Sequence, residues 1–203
     1  AASDVYKRQQ MLSPEADALV SKLNHKSLYL LDMVEEVFEL SKASSGHLPM
    51  KRETIDIGRL LEQTLGEMDE DLCASGFQLK KDYPLTGMLV LCDGLHMHRV
   101  FQNLFDNALK YACPQTRIFI HASQRSDQFC EIRIRNTSRV PLDFDPEEIT
   151  KRFVRGEKAR TGEGSGLGLA IAKTYTESCG GQFHIVIEDD CFIAVVCLPS
   201  ITS

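Results

Sequence analysis

The sequence predicts an α+β fold, a two-layer sandwich in which helices cover a mixed, largely antiparallel sheet, preceded by one long helix. Three observations predict it. Short alternating apolar runs fall in pairs between helical stretches, without strict β-α-β alternation. Near the N-terminus Leu23, Leu30 and Val37 recur every seven residues, with Val34 on an intermediate turn, a helical seam suited to a bundle. The chain has 203 residues, 43% hydrophobic and 26% charged, enough for one good-sized core or a domain plus an extension.

The elements follow in order. Residues 1–10, AASDVYKRQQ, carry no pattern and read as a tag or assembly scar. Ser13 before Pro14 starts a helix, a capping side chain followed by a residue whose missing N–H costs nothing there. Ser44, Ser45 and Gly46 stop it. This first segment spans residues 11–52, and a second domain is expected over 53–203. Asp56 caps a helix carrying Leu60, Leu61, Leu65 and Met68. Strand signals follow at Phe77–Lys81 and Met88–Leu91, then a helix over about Leu95–Ala112. Two alternating runs, Arg117–Ala122 and Cys130–Asn136, read as strands. A loop occupies about Thr137–Gly164, and a helix starts near Gly166. Gln182–Ile187 and Cys191–Leu198 close the chain as a hairpin around Glu188, Asp189 and Asp190.

The formal net charge of −6 argues against nucleic acid as a partner. Seven cysteines are scattered without a C-x-x-C pair, which reads as reduced, mostly buried thiols of a cytoplasmic protein, with no disulfide framework or zinc site. No apolar run reaches the length of a membrane span, and no signal peptide is present.

Two segments carry chemistry. GEGSGLGLAIAKTYTESCGG (Gly162 to Gly181) sets glycines at 162, 164, 166 and 168 directly before an apolar helix. Glycine lets backbone approach phosphate oxygens, and a helix N-terminus offers unpaired N–H groups and partial positive charge. Upstream, RVFQNLFDNALKYA (Arg99 to Ala112) sets Asn103, Asn107 and Lys110 on neighbouring turns of one helix, beside Tyr111. An amide oxygen is a hard ligand for Mg²⁺, a lysine meets phosphate, and a tyrosine packs on a nucleoside. Together they read as a Mg-ATP site that is neither a Walker P-loop nor a Rossmann turn.

These segments resemble the N box and the G2 box of sensor histidine kinases, in the GHKL superfamily shared with gyrase, Hsp90 and MutL. ITKRFVRGEKAR (Ile149 to Arg160) is similar to the F box and basic lid between them. LLDMVEEVFELSKASSG is similar to the second helix of the dimerisation hairpin. The resemblance covers about Ser13 to Pro199 and implies a Bergerat-type ATP-binding fold that uses ATP and Mg²⁺.

Within that resemblance Asn107 is the Mg²⁺ ligand, where an isolated helix asparagine would only cap something local. Asn103 stands where ATP-hydrolysing relatives carry a glutamate that activates water. A neutral amide is no general base, so the substitution implies transfer to a protein side chain. Lys110 meets phosphate or is a solvated surface lysine, and Tyr111 flanks the nucleoside or is core. Many kinases have an Asp-x-Gly-x-Gly segment where this chain has Asn136, Thr137 and Ser138, so Asn136 accepts the adenine amino group without charge and the loop changes. In the lid Phe153 packs, while Arg155, Lys158 and Arg160 screen the triphosphate or form a solvated basic loop. Gly164, Gly166 and Gly168 hinge the lid and admit phosphate, Ser165 adds a hydrogen bond, and Leu167 and Leu169 belong to the same loop more as packing than as ligands.

None of the six histidines matches a phosphoacceptor, which in the family lies on the first hairpin helix before an acidic residue. His25 is followed by Lys26 in what resembles the second helix. The chain is therefore expected to begin after the acceptor helix and not to phosphorylate itself. The resemblance implies a homodimer in the full-length protein and a response-regulator receiver domain as partner, with no membrane segment in this chain. Two other readings are a nucleotide-binding scaffold that no longer transfers phosphate and a serine kinase of the anti-sigma type. The apolar seam at Leu23 to Val37 opposes the serine kinase, which lacks such a hairpin.

Overall fold

In the computed structural model the described residues are 14–44, 50–125, 128–151, 154 and 165–201. The chain divides into two compact units, Ala1–Glu39 and Leu40–Ser203. Helix α1, Pro14–Ser44, runs through the first and into the second. Along it Leu19, Leu23, Leu30, Leu31, Val34 and Phe38 are all more than half exposed. The expected seam is a helix face that holds no core of its own.

In the second unit the sequence builds β1 (Glu53–Asp56), α2 (Ile57–Glu67), α3 (Asp69–Ser75), β2 (Gln78–Asp82), β3 (Leu89–Cys92) and α4 (Gly94–Tyr111). Then come β4 (Arg117–Gln124), β5 (Phe129–Thr137), a 3₁₀ turn at Glu148–Thr150, α5 (Gly168–Ser178), β6 (Gln182–Glu188) and β7 (Cys191–Pro199). Five strands form one sheet in the order β2-β4-β5-β7-β6. Only β2–β4 is a parallel pair, and the other three neighbours are antiparallel. The fold is the helix-covered, largely antiparallel sandwich that the sequence predicts.

Three elements depart from the sequence reading. Glu53–Asp56 is a strand, paired antiparallel with β3 in a separate two-stranded ladder. Four residues that read as a helix approach are too few to show strand periodicity. The first domain helix stops at Glu67, and a second short helix follows to Ser75. Gly76, at φ +71°, ends that helix in the left-handed region. The 3₁₀ turn at Glu148–Thr150 falls inside what reads as loop.

Asp56 caps α2 as expected, its Oδ1 accepting from the Gly58 N–H at 3.1 Å. Its Oδ2 also accepts from the Gly87 N–H at 2.7 Å, tying the cap to the turn before β3. Period-two alternation places Ile118, Ile120, Ile132, Ile134, Val196 and Leu198 on the helix-facing side of the sheet, each at most 2% exposed. Phe101, Leu104 and Phe105 of α4 and Ile171 and Tyr175 of α5 are buried in the same core. β7 lies between β5 and β6 and is buried on both faces, since Ile193, Val195 and Cys197 form an outer cluster flanked by Phe129 and Val186.

Candidate functional site

Helix α4 begins one residue before its expected start, where Asp93 caps it. Asp93 Oδ1 accepts from the Leu95 and His96 N–H groups, both at 3.1 Å. Burial pushes the Asp93 carboxyl up, but the His96 and Lys51 backbone donors and the nearby His96 ring prevail, and it stays below the usual carboxylate range. Met97, Val100, Phe101, Leu104, Phe105 and Ala108 form the buried face. Asn103, Asn107 and Lys110 recur at i, i+4 and i+7 on the adjoining face, all half-buried. Lys110 Nζ stands 5.4 Å from the centre of the Tyr111 ring, and Tyr111 is itself half-buried.

The start of α5 meets this face directly. A Cβ added at Gly168 would lie 3.2 Å from Asn103 Oδ1, so a side chain there would press on the amide. Two residues earlier Gly166 has φ +73°, a conformation that favours glycine. Ser165 Oγ accepts from the Leu167 N–H at 3.2 Å, holding the approach to the helix. Leu167 is fully buried and Leu169 half-buried. Among the described residues no side chain caps the α5 N-terminus, which leaves its first N–H groups to other acceptors.

Asn136 sits near the end of β5, opposite Ile118 of β4 and Phe192 of β7, and is 3% exposed. The segment after it is laced to the end of α4. The Cys113 N–H donates to Thr137 O at 2.7 Å and the Arg139 N–H to Tyr111 O at 3.0 Å. The Ser138 N–H donates to Asp190 O at 2.7 Å, fastening the same loop to the β6–β7 turn. Sequence reasoning missed this lacing, because backbone pairing across distant segments leaves no residue-type signature.

The structure therefore joins Asn103 to Gly168 by direct approach and ties the loop after Asn136 to the end of the helix bearing Asn107, Lys110 and Tyr111. Phe153, Arg155, Lys158, Arg160 and Gly164 lie outside the described residues. Two buried amide nitrogens, Asn103 Nδ2 and Asn136 Nδ2, have no hydrogen-bond partner among the described residues. A buried donor without an acceptor is costly, and a polar ligand with acceptor atoms would relieve both. The geometry offers amide oxygens, amide donors and an uncapped helix N-terminus at a glycine cradle. These groups fit a nucleotide phosphate chain and its hard cation.

Residues 92–200 match the family described as histidine kinase-, DNA gyrase B-, and HSP90-like ATPase. The chain belongs to that family. Its matched region runs from the end of β3 to just past β7 and contains every site segment described above. The family's nucleotide is ATP.

Curated relatives are sensor kinases of two-component systems. The sensor protein VanS of Enterococcus faecium is 30% identical over 177 residues, 86% of this chain and 45% of that protein. The sensor histidine kinase YcbM of Bacillus subtilis (strain 168) is 25% identical over 86% of this chain and 57% of its own length. The chain thus spans about half the length of these relatives.

Solved structures share the fold. Full-length ShkA in complex with AMPPNP aligns with a TM-score of 0.79 and 21% identity over 96% of this chain and 41% of that one. The histidine kinase AdeS of Acinetobacter baumannii aligns at 0.71 and 20% identity over 96% and 89%.

Proposed function

We propose that this chain is the catalytic core of a sensor histidine kinase, binding Mg-ATP and presenting its γ-phosphate to a histidine on a helix outside these 203 residues. The observation that carries the reading is the approach of Gly168 to Asn103. It brings the glycine-started helix N-terminus onto the asparagine face of α4. Residues 11–52 serve as the second helix of a dimerisation hairpin and 53–203 as the ATP-binding domain.

Each residue has a stated role. Asn107 holds Mg²⁺ through its carboxamide oxygen, and Lys110 and the basic lid residues Arg155, Lys158 and Arg160 balance the triphosphate. Asn136 takes the adenine amino group on its oxygen, and Tyr111 flanks the nucleoside. The N–H groups at the start of α5, with Ser165 and Gly166 ahead of them, receive phosphate oxygens. Mg²⁺ held at Asn107 would supply positive charge against the charge that develops during transfer. The protein's contribution is position and preorganised charge, the chief source of phosphoryl-transfer catalysis. Asn103 orients but takes no proton, since a carboxamide has no basic lone pair at neutral pH. Water is thereby left unactivated, and a histidine imidazole, already nucleophilic at neutral pH, becomes the acceptor. A response-regulator receiver domain then takes the phosphate onto an aspartate. The exposed leucine and valine face of α1 supports a homodimer in the full-length protein, which works in the cytoplasm.

The test is transfer from γ-labelled ATP to a separately supplied acceptor hairpin from a sensor kinase relative. Label that is lost in acid and kept in alkali marks phosphohistidine. Acid-stable label would mark the serine-kinase reading. Absence of label despite bound ATP would mark a nucleotide-binding scaffold.

A further inference from the structure

One residue of β5 has no explanation in packing. Ile132, Ile134 and Asn136 alternate on the helix-facing side of the strand, each at most 3% exposed, and period two calls for a third apolar side chain at 136. Its neighbours across the sheet, Ile118 and Phe192, are themselves apolar and buried. The amide of Asn136 meets nothing polar in this setting. Nδ2 is buried without a partner, and among the described residues Oδ1 accepts no hydrogen bond either. A structural asparagine this deep in a core is paired. An unpaired one points to a ligand that supplies both partners.

The position of Asn136 says which part of the ligand it meets. Strand β5 packs against α4. Just past Asn136, Ser138 bridges to Ala112, and the Cys113 N–H donates to Thr137 O at 2.7 Å. The amide thus lies toward the end of α4 that carries Lys110 and Tyr111, and Asn103 and the glycine cradle meet earlier on the helix.

We propose that Asn136 makes the nucleotide site indifferent to the group at carbon 6 of a purine, so that it takes GTP as well as ATP. The inference rests on the Mg-ATP reading above and carries it from the phosphates to the base. An amide offers one acceptor and one donor group side by side. Adenine presents a 6-amino donor beside its N1 acceptor. Guanine presents a 6-oxo acceptor beside its N1–H donor. These are the same two groups in opposite order. No bond to a described residue fixes the amide of Asn136, and half a turn about χ2 exchanges atoms of nearly equal size. In one orientation Oδ1 accepts from the adenine amine and Nδ2 donates to N1. In the other Nδ2 donates to guanine O6 and Oδ1 accepts from N1–H. Either base therefore satisfies the orphaned nitrogen, which a single bond through Oδ1 would leave unpaired. A carboxylate only accepts. Aspartate at this position would suit the adenine amine and set its charge against guanine O6.

The experiment binds a ribose-labelled fluorescent ATP analogue to the chain with Mg²⁺ and displaces it with ATP and with GTP. The expected result is displacement by GTP with an affinity within about tenfold of that of ATP. A larger gap in favour of ATP would overturn the proposal and leave the Mg-ATP site standing. An analogue that fails to bind would remove that site and the proposal with it. Asn136→Asp, checked for folding by circular dichroism, tests the residue. It should weaken GTP at least about tenfold more than ATP, and a folded variant with the parent's ratio would overturn the assignment. A carboxylate buried this deeply can prevent folding, so Asn136→Ala is the second variant. It should weaken both nucleotides by a similar factor, about fivefold, and undiminished affinity for both would overturn the assignment as well.

Discussion

Gly168 and Asn103 carry the site at the scale of single residues. Glycine at 168 leaves room for the amide oxygen of Asn103, and a methyl group there would stand 3.2 Å from it, tighter than ordinary contact. Gly168→Ala should therefore tilt Asn103 and narrow the cradle while leaving the core intact, because position 168 lies at the helix start. The expected outcome is an ATP-analogue affinity about tenfold weaker with a melting temperature within about 2 °C of the parent. Unchanged affinity would show that the contact does not shape the site. Single residues were also where the sequence spoke most clearly. Asn107, Lys110, Gly166 and Gly168 stand out in the sequence because their spacing is local, and the structure sets Asn107 and Lys110 half-buried on one face of α4 and Gly168 against Asn103. The orphaned Asn103 and Asn136 amide nitrogens do not stand out there, since burial without a partner depends on segments far apart in the chain.

At the scale of elements, the outer face of the sheet holds a charge cluster that the alternating pattern hid. Glu131 is 9% exposed on β5. Burial alone would raise its carboxyl, but Arg133 Nε at 2.7 Å and Arg125 Nη1 at 2.9 Å outweigh that and hold it below the usual range. A lowered carboxyl in the folded chain contributes stability that is full above the unfolded value, near pH 4.3, and is lost as pH falls through the lower folded value. Glu131→Gln should therefore flatten the acid limb of a melting-temperature profile below about pH 5, with the parent and variant curves drawing together at the most acidic end. Parallel profiles would show that the pair contributes nothing through ionisation. Alternation on β4 and β5 predicted which residues face the helices. It missed that β7 is buried on both sides, because its outer cover comes from Phe129 and Val186 on neighbouring strands. The strand at Glu53–Asp56 is too short to show a period of its own, and only its pairing defines it. Its pairing partner, β3, lies more than thirty residues further along the chain.

For the whole molecule, the order of elements was legible almost throughout, since each long helix and alternating strand carries its own period. What joins them was not. The lacing of Thr137–Arg139 to the end of α4 and of Ser138 to the β6–β7 turn uses backbone groups alone. The clasp of Lys51 and Arg52 on Asp93 and Ser178 combines backbone and long side chains across as many as 126 residues. Those joints set α4, the end of β5 and α5 around one cradle, the one proposed above to bind Mg-ATP. The most direct measurement is a titration of a fluorescent ATP analogue into the chain, with and without Mg²⁺, beside Asn107→Ala checked for folding by circular dichroism. Saturable binding that strengthens with Mg²⁺ in the parent and loses that strengthening in Asn107→Ala is the expected result. A well-folded parent that fails to bind, or an Asn107→Ala variant with undiminished Mg²⁺ dependence, would contradict it.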